Sequence, residues 1–130
     1  MMLKLVCLIG FLSFPGAGHI LLNSELEKIA LAIQTGNSRE LARYLDNSVE
    51  ITIYEKEETY SKVQAEMVLK DFFTRNKPLS FKIIHNGSSN QGAQYAIGTL
   101  TTDKGTFRTY LYLKLKGQSL LIQEIRFERD

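Results

Sequence analysis

The sequence predicts an α+β fold: a curved antiparallel sheet forming a cone, packed on three N-terminal helices. Two observations carry this. Between Ser24 and Phe73, apolar residues recur at helical spacing in three short segments. From Leu79 to Phe127, four long runs rich in β-branched and aromatic residues follow, separated by polar and glycine-bearing turns. Helical segments first and long strands last suggest one sheet curled around helices, with one inner face. Such a fold can enclose a pocket, pair with a copy of itself, or do neither.

The chain of 130 residues opens on a segment outside this pattern. Met1 to Lys4 carry one positive charge, Leu5 to Phe14 are apolar, and Pro15-Gly16-Ala17-Gly18 are small or helix-breaking. This is the layout of a secretory signal peptide cut after Gly18. Residues 1–18 are therefore expected to be a leader, and 19–130 a single exported domain, periplasmic or extracellular. An uncleaved anchor is the alternative. The apolar run is shorter than the roughly 20 residues that span a bilayer, so no stable membrane insertion is expected after cleavage. Cys7, the sole cysteine, lies inside this segment. The mature domain would have no disulfide and no thiolate ligand. The formal net charge is +2, with lysines and arginines scattered rather than striped, which argues against a nucleic-acid partner.

The elements follow in order. Ser24-Glu25-Leu26-Glu27 reads as a capping box opening a first helix, whose apolar stripe is Leu26, Ile29, Ala30 and Ile33 and which Gly36 ends. Asn37-Ser38-Arg39-Glu40 caps a second, with Leu41, Ala42 and Leu45 buried and Asp46-Asn47 as its stop. Val49 to Tyr54 alternate as a half-buried strand, Glu55 to Glu58 form its turn, and Thr59-Tyr60 a stub of return strand. Ser61 caps a third helix with Gln64, and its stripe is Ala65, Val68, Leu69, Phe72 and Phe73. Pro78 prevents continuation.

Leu79–His85, Ala93–Thr102, Thr106–Lys116 and Leu120–Phe127 read as the four long strands. Asp103-Lys104-Gly105 suits a three-residue hairpin loop closed by a left-handed glycine. Thr102 would then pair with Thr106, Ile97 with Leu111, and Tyr95 with Leu113. Around Gly117, an odd loop puts Leu121, Gln123, Ile125 and Phe127 on the face of Leu111 and Leu113. An even loop instead puts Glu124 and Arg126 there. The odd loop is preferred, since burying a charge costs far more than burying an amide. The inner face is then apolar with four neutral polar groups, Tyr95, Thr99, Thr109 and Gln123, which would bind a small apolar ligand. The outer face carries Arg108, Tyr110, Tyr112 and Glu124, an aromatic and charged surface suited to homodimer contact.

These residues resemble the nuclear transport factor 2-like superfamily, which includes ketosteroid isomerase. The resemblance runs from Ser24 to the end: Thr35-Gly36-Asn37, Leu41 to Leu45, the strand Val49 to Tyr54, the third helix and four strands. Gly98-Thr99-Leu100 and Ile122-Gln123-Glu124-Ile125 narrow it to exported bacterial members of unknown function. A cystatin-like fold is the competitor, but the extra helical segments argue against it. The superfamily's isomerases use a carboxylate base with a tyrosine and an acid in the cone. Here the expected inner face holds Tyr95 but no carboxylate. Asp46 and Asp71 read as a helix stop and a solvated face.

His85 ends the first long strand, as a ligand contact at the mouth of the cone or as a plain strand-end residue. Two histidines give no metal constellation, and no phosphate loop or nucleophile triad is present, so no cofactor is implied. Three functions remain open. A non-catalytic ligand-binding domain leads, a homodimeric interaction or adaptor domain follows, and an enzyme comes last.

Overall fold

Among the described residues, three helices and a six-stranded mixed sheet make up the fold, and helical segments lie on one face of that sheet. The structure is a computed structural model. It describes residues 17–89 and 91–130, with side chains of the first helix from Ser24 on. Most of the expected leader, including Cys7, lies outside the described residues. The elements are α1 (Ala17–Gln34), α2 (Ser38–Ala42), β1 (Leu45–Ile53), β2 (Lys56–Ser61), α3 (Lys62–Arg75), β3 (Pro78–Ser88), β4 (Ala93–Thr102), β5 (Gly105–Lys116) and β6 (Ser119–Arg129). The strand order is β2-β1-β6-β5-β4-β3. Four pairings are antiparallel, and β1 runs parallel to β6.

The α+β class and the helix-then-strand order hold, while several boundaries move. α1 begins at Ala17, so Ser24 lies within it rather than capping it. Glu25 serves tertiary structure instead, with its carboxylate accepting the Leu120 amide at 2.9 Å. The C-terminus of α1 is as expected. Gly36 takes φ +63°, and the Asn37 and Gly36 amides donate to the Ala32 and Ile33 carbonyls, closing a Schellman motif. The Asn37 side chain caps α2 by accepting the Glu40 amide at 3.0 Å. α2 stops at Ala42, earlier than expected. The Tyr44 carbonyl accepts the Ile122 amide at 2.7 Å, drawing Leu45 into β1 beside β6.

β2 is a full strand of six residues, not a charged turn and a stub. Its turn is only Tyr54-Glu55, made possible because Tyr54 adopts a left-handed φ of +59°. The capping box of α3 forms as expected, with Ser61 and Gln64 bonding reciprocally.

The most consequential correction is the β4–β5 hairpin. Thr102 pairs with Gly105, so the loop is two residues, Asp103-Lys104. The Thr102 hydroxyl donates to the Gly105 carbonyl at 2.8 Å and accepts the Lys104 amide at 3.1 Å. Those two bonds close a tighter turn than the glycine suggested. The register moves by one residue, which turns β4 over. Ala96, Gly98, Leu100 and Thr102 face the helices, and Tyr95, Ile97 and Thr99 face away. An added Cβ on Gly98 would lie 2.5 Å from the Phe81 ring, so Phe81 packs directly over this glycine.

The β5–β6 hairpin combines both loop parities. Lys116 pairs with Ser119 across an even, two-residue loop, Gly117-Gln118. A bulge at Gln123 then inserts one residue. Beyond it the odd register holds: Tyr112 opposes Glu124, Arg108 opposes Glu128, and Ile125 and Phe127 are buried. Before it, Leu120 and Ile122 are the buried residues and Leu121 is not.

Candidate functional site

The two faces of the sheet were the candidate sites, and their occupancy differs. The inner face is filled by the chain itself. Phe72 from α3 stacks on Phe127 at 4.2 Å between centroids and meets Phe107 edge-on at 5.3 Å. Phe73 approaches Phe127 edge-on at 6.1 Å. Leu69, Ile29, Ile33, Leu111 and Leu113 are wholly buried around them. Met67, by contrast, is two-thirds exposed and fills nothing.

Of the expected inner-face polar groups, only Thr109 sits there. It is fully buried, and its hydroxyl has no hydrogen-bond partner. Tyr95 and Thr99 lie on the outer face, a correction that follows from the tighter β4–β5 turn. Gln123 occupies the β6 bulge and spends its amide on Asp46 Oδ2 at 2.8 Å and the Leu121 carbonyl at 3.3 Å. His85 also belongs to the outer face, exposed, with Nε2 3.0 Å from Tyr95 Oη. Gly87 lies under the same tyrosine: an added Cβ would meet its hydroxyl at 2.6 Å and its ring at 2.7 Å.

Asp46 is the residue whose role the sequence concealed. It lies in β1, not at a helix end, and is buried. Its carboxylate accepts from Lys116 Nζ at 2.5 Å, from Gln123, and from the Asn47 amide at 2.8 Å. These hydrogen bonds, that of Lys116 foremost, lower its pKa to about 2. The arrangement ties β1, β5 and β6 together. With both carboxylate oxygens so engaged and the pKa so low, it is a poor proton acceptor near neutrality.

On the outer face, Arg108, Tyr110, Tyr112, Glu124 and Arg126 stand where the sequence placed them, joined by Ile97 and Tyr95. Arg126 pairs with Glu124 and lies 5.9 Å over the Tyr110 ring. On β1 and β2, Glu50 and Glu57 share this face, since Glu57 opposes Thr52 and Glu50 pairs with Glu124. The Glu57 carboxylate beside Glu50 raises its pKa, with burial and Glu124 adding to the effect. Thr52, Glu57, Arg126 and Glu128 line an open cleft of about 620 Å³ here. A second open cleft, about 780 Å³, lies between α2 and α3 beside Arg39, Glu66 and Lys70. Among the described residues, no group of three or more histidine, cysteine, aspartate or glutamate side chains is placed to hold a metal, and no helix is long and apolar enough to cross a membrane.

Charge patterning across strands is what sequence reading missed on this face. Glu50 and Glu57 are unremarkable surface residues until the sheet order aligns them with Glu124 and Glu128. No curated protein matches the chain. Three solved structures are informative. A DUF4783 family protein from Bacteroides fragilis is 34% identical, with 79% of this chain and 96% of that one covered and a TM-score of 0.76. One from Bacteroides uniformis is 31% identical, with coverage of 80% and 95% and a TM-score of 0.77. A nuclear transport factor 2-like protein of unknown function from Cytophaga hutchinsonii is 9% identical, with coverage of 83% and 88% and a TM-score of 0.60, which speaks for the fold alone. The family model described as domain of unknown function DUF4783 matches residues 26–128. The chain therefore belongs to the DUF4783 family and has a nuclear transport factor 2-like fold.

Proposed function

We propose that this chain is an exported, non-catalytic interaction domain that pairs with a second copy through the outer sheet face. One observation carries the reading. The phenylalanines of α3, β5 and β6 occupy the inner side of the sheet, while the opposite side presents Tyr95, Tyr110, Tyr112 and Ile97 among charges. Tyrosines supply contact area and a hydrogen bond together and are enriched at interfaces. Light scattering over a concentration series tests it. The wild type should dimerise, and Tyr112→Glu, which sets a second carboxylate opposite Glu124, should weaken the dimer at least tenfold without altering the circular dichroism spectrum. A monomeric wild type at high concentration overturns the pairing. Export rests on the charged start and short apolar run, and the mass of the protein from its native host should lack residues 1–18.

A second reading keeps a small apolar ligand in the cone. Its support is the Thr109 hydroxyl, buried on the inner face without a partner. Buried polar groups normally find one, so an unpaired hydroxyl is a place for a ligand or a water to bond.

A further inference from the structure

The outer face is electrically divided along its middle. The β2-β1-β6 half carries Glu50, Glu57, Glu124 and Glu128 against Arg126 alone. The β5-β4-β3 half carries Arg108, Lys114 and Lys82, and these three strands place no carboxylate on this face. The boundary runs between β6 and β5, the third and fourth strands of six.

Two limiting directions exist for a two-fold axis that stacks such a face on its copy. A two-fold axis across the strands sets each strand on itself, so acid meets acid and base meets base. An axis along the strands, on the β6–β5 boundary, sets β6 on β5 and β1 on β4. Like charges brought together cost energy, and opposite ones fix orientation. We infer that the copies pair about a two-fold axis parallel to the strands, each acidic half on its partner's basic and tyrosine-bearing half.

This inference rests on the pairing proposed above and adds its geometry. An axis along the strands keeps residues at their own level, so the ladder predicts the contacts. Arg108 and Glu128 share a level, so each copy's Glu128 meets an arginine. Tyr112 and Glu124 share the next level but one, with Glu50 and Tyr95 beside them on β1 and β4. Glu124 and Glu50 thus meet phenol donors. At the level between, Arg126 meets the ring of Tyr110. Such an interface is isologous and closes as a dimer.

Cross-linking between two single variants tests it, both in the Cys7→Ser background. Glu50→Cys and Tyr95→Cys are mixed, allowed to exchange subunits, and treated with a short bismaleimide. Any product joining the two variants is intermolecular by construction. Cross-linked heterodimer in the mixture, with little product from either variant alone, is the expected result. Efficient self-cross-linking of Glu50→Cys alone would mean strands stacked on themselves and overturns the inference. A dimer by light scattering that cross-links in no sample overturns the arrangement and leaves the pairing standing. Monomers throughout overturn both.

Discussion

Replacing Phe72 with alanine should cost about 3–5 kcal/mol of folding stability, the usual range for emptying a buried aromatic site. Phe72 is 3% exposed and touches three rings, Phe73, Phe107 and Phe127. Its loss removes the wedge between α3 and the sheet, and the strand-borne rings cannot follow a receding helix side chain. Urea denaturation gives the number. The same variant separates the two functional readings. Phe72→Ala should bind benzene or indole, seen as a thermal shift, because an apolar cavity of that kind stays dry and accepts such probes. The wild type should show no shift with those compounds or with a panel of lipids and sterols. A shift in the wild type would favour the ligand-binding reading.

Asp46→Asn should destabilise the protein by about 1–2 kcal/mol at pH 7 and by almost nothing near pH 2. The folded-state pKa is lowered from 3.8 to about 2, chiefly by the hydrogen bond from Lys116 and then by Gln123. A lowered carboxylate pKa contributes stability that is complete above the unfolded value and lost as pH falls through the folded one. The window is therefore roughly pH 4 down to pH 2. The full shift would give about 2 kcal/mol, and a discount applies because Lys116 is half exposed and screened by solvent. Urea titrations of both proteins at pH 7 and pH 2.5 check it, and a difference independent of pH would refute the ionic account.

Local signals were read correctly where one short stretch decides the outcome. Gly36 and Asn37 end one helix and start the next because a left-handed glycine and a capping side chain act within a few residues. Ser61 and Gln64 close their box for the same reason. The apolar stripe of α3 gave Phe72 and Phe73 as core, and they are. Errors arose where a local choice is settled by distant partners. Leu45 reads as the buried side of α2, but the Tyr44 carbonyl is claimed by Ile122 from the far end of the chain. Asp46 reads as a helix stop, but Lys116 and Gln123 make it a buried anion.

By itself the sequence determined the class, the element order, the Gly36 end of α1, the caps of α2 and α3 and which face of β5 is buried. Each depends on periodicity or on chemistry within one turn. Only the tertiary structure decided the face of β4, the bulge in β6 and the charge division of the outer sheet. Strand faces alternate every residue, so a hairpin loop one residue shorter than expected exchanges inside for outside along a whole strand. That single residue moved Tyr95 and Thr99 from the expected pocket to the surface. The charge division has no sequence signature, because Glu50 and Glu57, which meet across the β1–β2 hairpin, join Glu124 and Glu128 only through a parallel pairing of β1 with β6.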